Sequence, residues 1–431
     1  MTCNRETPAV THAKAAAAFS ASRIPSEFRY WENIGTPRAQ KLRWKLSALF
    51  GVDPQLPDAI VRRYAESYYD ADPIGEVFVH EVYQARGQVE GRKLVDRALA
   101  SGVEAVVDAP ASLRDLFAEL ETPPPWFDPS LVALGARAFR RFGTHMFSFA
   151  GAITLEGYRE NSVAKPLAFT GAYTGESANR RFLETASFWV DVAAPGALAP
   201  GGRGRATALR VRLMHVFVRR RLLAHPRWDL SAWGIPISQG DALLTLMGGS
   251  FAPGYGLRLL GYRTSREEIE AMMHFWRYVG HLMGVQPRWY PENIPDALGL
   301  MFTSQVKSAG GSGEDGVNLA RSYLASYAPV PGDSVRDRIM KRWKHGLETG
   351  YVGWFLPKRT RRMYGLPAPG LWLLSAPIQA PWIFARETFR RRLAPLDDWV
   401  DRRARQETSR WLEARLGPRR AEYQAVERLV R

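Results

Sequence analysis

The chain has 431 residues and a formal net charge of +16; 46% of its residues are hydrophobic and 24% are charged. This balance excludes a disordered chain and allows a sizeable buried core. The single cysteine, Cys3, excludes intramolecular disulfides, a Cys-x-x-Cys-His haem attachment and multi-thiolate centres, so histidine, carboxylate or another non-thiolate group would hold a metal or haem.

The excess positive charge fits either a polyanionic partner or arginines spread over solvated helix faces. The arginines are scattered, with short groups such as Arg219–Arg221 and Arg390–Arg392 and no long basic run. This scatter favours solvated faces, and we expect no nucleic-acid partner.

The N-terminal patch Ala13–Ser22 has neither the basic lead nor the hydrophobic core of a secretion signal, so we expect a cytoplasmic protein. Helical periodicity then dominates, and alternating strand patterns are nearly absent. The sequence therefore predicts an all-α fold, a single large helical domain. Its first helical block runs from about Pro37 to Leu120, which defines an N-terminal helical segment, residues 1–122.

A proline-rich boundary, Pro123–Ser130, precedes the next helices and offers Asp128 or Ser130 as an N-cap. The periodicity predicts helices over Leu131–Phe149, Ala178–Val192 and Thr207–Leu223. Two further helix starts are predicted, one capped by Ser238 and one by a capping box of Ser265 and Glu268.

A basic helical tail is predicted from about Pro357. It contains the apolar stretch GLWLLSAPIQAPWIFA, which Pro377 and Pro381 interrupt and which is too short to span a bilayer. We expect this stretch to tuck under the domain, with a peripheral membrane contact as the alternative.

One histidine lies within the arginine-rich stretch LRVRLMHVFVRRRLL. Helical spacing places Val211, Met214, His215, Val218 and Leu222 on one apolar face, which predicts that His215 points inward. From this pattern alone His215 is either a core histidine or a ligand.

Arg212 and Arg219 lie one turn to either side of His215 and suit carboxylates, which arginine binds in a bidentate manner. An inward histidine between two such arginines fits haem, because the imidazole can ligate iron and the cations can pair with propionates.

The other candidate motifs are weaker. His145 is interpreted as core or pocket wall, and His274 and His281 are two helical turns apart, too far to share one metal ion. The chain has no His-Glu-x-x-His motif and no serine at a nucleophile turn, and its glycine clusters lack the context of a nucleotide-binding loop. These absences disfavour hydrolases and kinases.

A second polar group occurs in ANRRFLETASF. Arg181 and Thr185 share a helix face, and Glu184 is placed to pair with Arg181. The structural alternative is a surface ion pair beside a threonine that bonds back to its own helix.

Four ordered segments, RRFLETASFW, RVRLMH, WGIPISQGDALLTLMGGSF and HFWRYVGHLMGV, resemble the MpaB/latex-clearing-protein family of haem-dependent oxygenases. The resemblance covers roughly Trp126–Tyr327. It implies a globin-like all-α core, a non-covalent haem b and oxidative cleavage of carbon–carbon double bonds with dioxygen. On this basis residues 123–355 are the predicted haem-binding catalytic domain, and residues 356–431 a basic C-terminal helical extension.

The resemblance makes His215 the proximal iron ligand, with Arg212 supporting the haem. It places Arg181 and Thr185 in the distal pocket. The family's distal acid has no clear counterpart; Glu156 is the first candidate, with Glu160 behind it. The rubber oxygenases of the family carry a lysine just before the distal threonine, where this chain has Glu184, so a lysine-capped resting state is not expected.

The predicted function is a haem b-dependent oxygenase that cleaves a C=C bond of an isoprenoid or lipid-like alkene with O2. The alternative is a non-enzymatic basic helical protein that binds nucleic acid or an anionic membrane. A third hypothesis is a haem-binding relative that senses or stores without turnover.

Overall fold

The all-α prediction is confirmed. The computed structural model describes residues 23–171 and 176–416, and within these ranges every regular element is a helix or a helical turn. Cys3 and the patch Ala13–Ser22 lie outside the described residues.

The helices before the predicted boundary are α1 Tyr30–Asn33, α2 Pro37–Phe50, α3 Asp58–Glu66, α4 Pro73–Phe78, α5 Gln88–Ser101 and α6 Ala111–Glu121. A π-helical turn, Val79–Gln84, follows α4 directly.

The next helices are α7 Pro129–Arg140, α8 His145–Gly157, α9 Asn161–Phe169, α10 Glu176–Ala193, α11 Arg203–Leu223, α12 Leu230–Trp233, α13 Gln239–Gly249, α14 Phe251–Gly256, α15 Arg266–Leu282, α16 Ile294–Val306 and α17 Glu314–Ala325. The last are α18 Val335–Phe355, α19 Lys358–Met363, α20 Ser375–Arg390 and α21 Ala394–Leu416.

The predicted helix starts are confirmed by their caps. The Asp128 side chain accepts the Ser130 N–H at 2.8 Å before α7, and Ser238 accepts the Asp241 N–H at 3.1 Å in α13. At the start of α15 both hydrogen bonds of the Ser265–Glu268 capping box form. These side chains satisfy N–H groups that have no partner within the helix.

One predicted helix boundary is wrong. The expected helix Leu131–Phe149 is two helices, because α7 ends at Arg140 and α8 begins at His145. Gly143 lies between them with φ +54°, a left-handed conformation that glycine adopts without steric cost. The chain turns at this glycine, so α8 runs in a different direction from α7 and begins at His145.

The proline-containing stretch also differs from expectation. The helix α20 continues through Pro381, and Pro377 lies in its first turn, where a missing N–H costs little. The prediction that this stretch packs under the domain is only half right. Ile383 is buried, but Leu371, Ile378 and Trp382 are 85%, 73% and 76% exposed.

The central helix of the core is α15, which packs along α7 and also against α13 and α11. Its Phe275, Trp276 and Val279 are buried. The helix that carries His215, α11, packs on α10 and also contacts α4, α9 and α15. Among the described residues, no helix is long and apolar enough to cross a membrane.

Candidate functional site

His215 lies in the middle of α11. The predicted face is confirmed, since Val211, Val218 and Leu222 are buried, whereas the His215 ring keeps part of its surface accessible. No hydrogen-bond partner for the ring occurs among the described residues. A partly accessible histidine with free ring nitrogens differs from an ordinary core histidine, whose nitrogens are normally satisfied.

The ring of His215 is neutral at ordinary pH. Burial and, to a smaller extent, the nearby Arg219 lower the pKa of His215 to about 4, although Asp72 opposes the shift. A neutral imidazole offers a nitrogen lone pair, which is the form that ligates metals. A neutral ring of this kind is suited to hold a haem through its iron.

Arg212 lies one turn before His215 and binds protein carboxylates. Its Nε donates to Asp72 Oδ2 at 2.6 Å and its Nη2 to Asp72 Oδ1 at 2.7 Å, and a second ion pair joins Nη2 to Glu119. The guanidinium is 1% exposed. The expected bidentate grip is present, but two side chains of the N-terminal segment supply the carboxylates. Arg212 is thus neutralised behind His215.

Arg219, one turn after His215, also binds groups of the protein itself. Its Nη1 pairs with Glu76 at 2.9 Å, and its Nε and Nη2 donate to the carbonyls of Pro236 and Ile237. Both flanking arginines therefore hold α11 against neighbouring segments, and their charges are already paired.

Arg181 and Thr185 lie on α10, which packs against α11. Arg181 donates to the hydroxyl and the carbonyl of Thr170 at 3.2 and 3.1 Å, and Thr185 Oγ1 donates to the Arg181 carbonyl at 3.1 Å. Burial lowers the pKa of Arg181. The structure leaves Thr185 exposed while it bonds back to its own helix.

Glu184 interacts with arginines of its own helix, and its negative charge opposes the lowering of the Arg181 pKa. Its carboxylate pairs with Arg180 Nε at 3.1 Å, and Arg181 turns toward Thr170. The side chain of Arg180 is 56% exposed, so this pair lies toward the surface.

The two candidate acids lie at the junction of α8 and α9. Glu156 pairs with Arg159 at 2.6 Å, and its Oε2 is buried with no partner among the described residues. Glu160 pairs with the buried Lys307 at 2.9 Å. Burial alone would raise the pKa of Glu160, but the ammonium of Lys307 holds it below its usual value.

One carboxyl group was not singled out from the sequence. Burial raises the pKa of Asp241 to about 6, although Lys307 opposes the shift, and the Ser162 and Ser238 hydroxyls donate to its two oxygens at 3.0 and 3.1 Å. The only sequence signal was its position three residues after the N-cap Ser238. Such a carboxyl can exchange a proton near neutral pH.

Accessible side chains mark open space between α8, α9 and α13. A Cβ at Gly248 of α13 would meet only Ile153 of α8, at 3.9 Å, and one at Gly157 of α8 would meet only Val163 of α9, at 3.8 Å. Thr154 of α8 and Thr245 of α13 are exposed although their helices pack into the bundle. The facing sides of these helices are therefore loosely packed at these positions.

Two of the other histidines have structural partners, whereas His281 Nε2 is buried without a partner among the described residues. His145 Nδ1 lies 2.9 Å from the Tyr262 hydroxyl, and His274 Nε2 accepts the Asp128 N–H at 3.1 Å. In the described part of the chain, no group of three histidine, cysteine or acidic side chains is arranged to hold a metal ion. A single histidine to a haem remains the arrangement that the donors fit.

Residues 136–391, more than half of the chain, match the family described as ER-bound oxygenase mpaB/B'/Rubber oxygenase, catalytic domain. This chain belongs to that family. The recognition from four short segments is thereby confirmed, and the chain is a member of a family of oxygenases.

Two known proteins are similar to this chain. The rubber oxygenase of Streptomyces sp. (strain K30) is 27% identical over 201 residues, 46% of this chain and 47% of that protein, so the alignment spans about half of its length. The structure of latex clearing protein in the closed state has a TM-score of 0.57 at 20% identity and covers 79% of this chain and 91% of that one. This likeness shows a shared fold.

Proposed function

We propose that the protein is a haem b-dependent oxygenase that cleaves a C=C bond of an isoprenoid or lipid-like substrate with O2. The observation that carries the proposal is His215, a neutral ring without a hydrogen-bond partner among the described residues, in a chain of the rubber oxygenase family. The predicted domain limits and the cytoplasmic location remain predictions.

His215 would hold the iron through a ring nitrogen. When bound, the haem supplies the dioxygen chemistry, and the protein supplies orientation and a dry site. Arg212 supports this side indirectly, because its ion pairs with Asp72 and Glu119 hold α11 and therefore the ring of His215 in place. Outer partners of this kind orient a ligand and tune its surroundings.

On the opposite side we assign the polar groups to Arg181 and Thr185. Arg181 offers a cation anchored by Thr170, and Thr185 offers an exposed hydroxyl. We prefer Glu156 to Glu160 as the acid, because Glu156 keeps an unpaired carboxylate oxygen while Lys307 neutralises Glu160. Glu156 would accept a proton from the allylic position of the alkene or orient oxygen.

The exposed side chains of the C-terminal extension favour a peripheral membrane contact. Ile378 and Trp382 share one face of α20, and Leu371 and Leu374 are exposed in the 3-10 turn that leads directly into this helix. An apolar substrate would partition into the same bilayer. We propose that these four side chains, the exposed stripe of the extension, rest on a lipid surface.

The decisive experiment is an absorption spectrum of wild type and of His215→Ala after addition of haemin. Wild type should show a Soret band, and His215→Ala should lose or shift it. His225→Ala is the matched control, since His225 follows the same helix but stacks on Phe169. A wild type without a Soret band, or an unchanged band in His215→Ala, would contradict the proposed ligand.

Turnover separates an oxygenase from a sensing or storage protein. Haem-loaded wild type should consume O2 and release carbonyl products from an isoprenoid alkene such as squalene. A colourless protein with salt-sensitive affinity for polyanions would instead support the binding-module alternative.

A further inference from the structure

A cavity of about 610 Å³ lies between α7, α15 and the loop that follows α10. Its walls are mainly apolar and include Phe127, Val132, Ala136, Val192 and Phe275. This volume is within the range of small-molecule sites, which are typically about 300–1,000 Å³. None of the proposed haem-site residues lines it.

One buried cation lines this cavity. Arg205 is 5% exposed; its Nε donates to the Leu198 carbonyl at 2.9 Å and its Nη2 to the Tyr278 hydroxyl at 2.8 Å. Its Nη1 is buried without a partner. Among the described residues no carboxylate pairs with Arg205, and this includes Glu121, the acidic residue that lines the same cavity.

The two other arginines of the cavity have the carboxylate partners that Arg205 lacks. Arg137 pairs with Asp397 and Asp398, and Arg140 pairs with Asp401, all from α21. Arg205 is thus the cavity arginine whose charge the described side chains leave uncompensated.

A buried charge without a counter-charge raises the free energy of the folded protein. An anion that binds beside Arg205 would therefore be stabilised by a strong electrostatic attraction. The Tyr278 oxygen accepts a hydrogen bond from Arg205, which leaves the phenol proton available to a second acceptor oxygen. A carboxylate has two acceptor oxygens and matches this pair of donors. The apolar walls suit a hydrocarbon chain.

We propose that this cavity binds an amphiphilic carboxylate, such as a fatty acid or an isoprenoid acid, with its head group at Arg205 and Tyr278. The site is distinct from the haem site. Arg205 and His215 are ten residues apart on α11, which corresponds to about 15 Å along the helix. The proposal therefore does not depend on the proposed oxygenase activity.

The test is calorimetric titration of the full-length protein with dodecanoate and, separately, with dodecanol. Dodecanoate should bind more tightly than dodecanol, and Arg205→Met should weaken dodecanoate binding roughly 10- to 100-fold, the range expected for charged hydrogen bonds. Dodecanol binding should change little. Arg137→Met is the matched control, because Arg137 lines the same cavity with its charge already paired.

A second variant tests the cavity without removing a buried charge. Ala133 lines the cavity and is exposed, so Ala133→Trp should fold normally while it blocks both ligands. His215→Ala should leave dodecanoate binding intact. Equal affinity for the acid and the alcohol, no binding to wild type, full binding by Ala133→Trp, or an Arg205→Met variant with wild-type affinity would each overturn the proposal.

Discussion

At the residue scale, Arg212 shows how α11, the helix that carries His215, is held in place. Asp72 and Glu119 surround its guanidinium, and Asp72 also accepts the Gly75 N–H at 3.0 Å as the N-cap of α4. One carboxylate therefore caps a helix and neutralises a buried cation. The position of His215 depends on residues more than 90 positions away in the sequence.

Replacement of Arg212 by methionine should lower the free energy of unfolding by about 3–5 kcal/mol, because two carboxylates lose their buried counter-charge. The midpoint of urea denaturation measures this loss. Arg210→Met is the control on the same helix; its exposed pair with Asp96 is expected to contribute less than about 1 kcal/mol. Similar losses of stability for both variants would show that the buried ion pairs of Arg212 contribute no more than the exposed pair of Arg210.

The carboxyl group of Asp241 should make stability depend on pH. Its folded pKa of about 6 lies above the usual 3.8, so the folded state holds a proton that the unfolded state releases between these values. Stability should fall as pH rises from 4 to 6, relative to Asp241→Asn, by at most about 3 kcal/mol. Thermal unfolding of both proteins across this range is the measurement.

The control for this prediction is Asp229, the N-cap of α12. Hydrogen bonds from Ser231 and the backbone lower the pKa of Asp229, so its contribution to stability should be present above pH 4 and lost as pH falls. Asp229→Asn should therefore give the opposite slope. Parallel curves for wild type and Asp241→Asn would contradict the assignment of Asp241.

At the element scale, an ion cluster joins the start of α15 to the C-terminal extension. Glu268 pairs with Arg141 at 2.8 Å and with Arg390 of α20 at 3.0 Å, and Arg390 also pairs with the fully buried Glu387 at 2.9 Å. Burial would raise the pKa of Glu268, but the two arginines and the Ser265 N–H hold it at about 2. The carboxylate that forms the capping box therefore also anchors α20.

Glu268→Gln should lower stability at neutral pH by about 2–4 kcal/mol, because the folded state favours the ionised form. The pKa is depressed, so this contribution is present above about pH 4.5 and disappears as pH falls toward 2. The difference in Tm between the variant and wild type should shrink over that range. Glu270→Gln, whose exposed pair with Arg266 lies on the same helix, should change the Tm little. A pH-independent difference would count against the ion cluster.

The elements that the sequence predicts well are those decided by neighbours in the chain. Ser238 and the pair Ser265–Glu268 act within one helical turn, and the spacing of Val211 to Leu222 sets the direction of His215. The missed features depend on distant partners. Thr170, eleven residues before Arg181, accepts the hydrogen bonds of that arginine, and burial by other helices raises the pKa of Asp241.

At the scale of the whole molecule, the excess positive charge and the exposed stripe that ends with Ile378 and Trp382 would both favour the proposed contact with an anionic bilayer. Vesicles that contain phosphatidylserine should bind the protein more strongly than neutral vesicles, and Ile378→Glu/Trp382→Glu should weaken binding at least about tenfold, since each buried apolar side chain contributes roughly 1.5–3 kcal/mol. Co-sedimentation with vesicles measures this effect. Leu49→Glu is the control, because Leu49 is 75% exposed on α2. Unchanged sedimentation of the double variant would contradict the proposal that this stripe contacts the membrane.

The ion pairs of Arg212 also bear on how much of the chain is needed to hold His215 in place. The family match begins at residue 136, yet Asp72 and Glu119, which neutralise Arg212, both precede it. A protein cut to the matched residues would keep the histidine and lose the counter-charges behind it. Deleting the first 122 residues should therefore cost α11 this anchorage, and we expect the residues of the family match to be insufficient on their own to hold His215 in place.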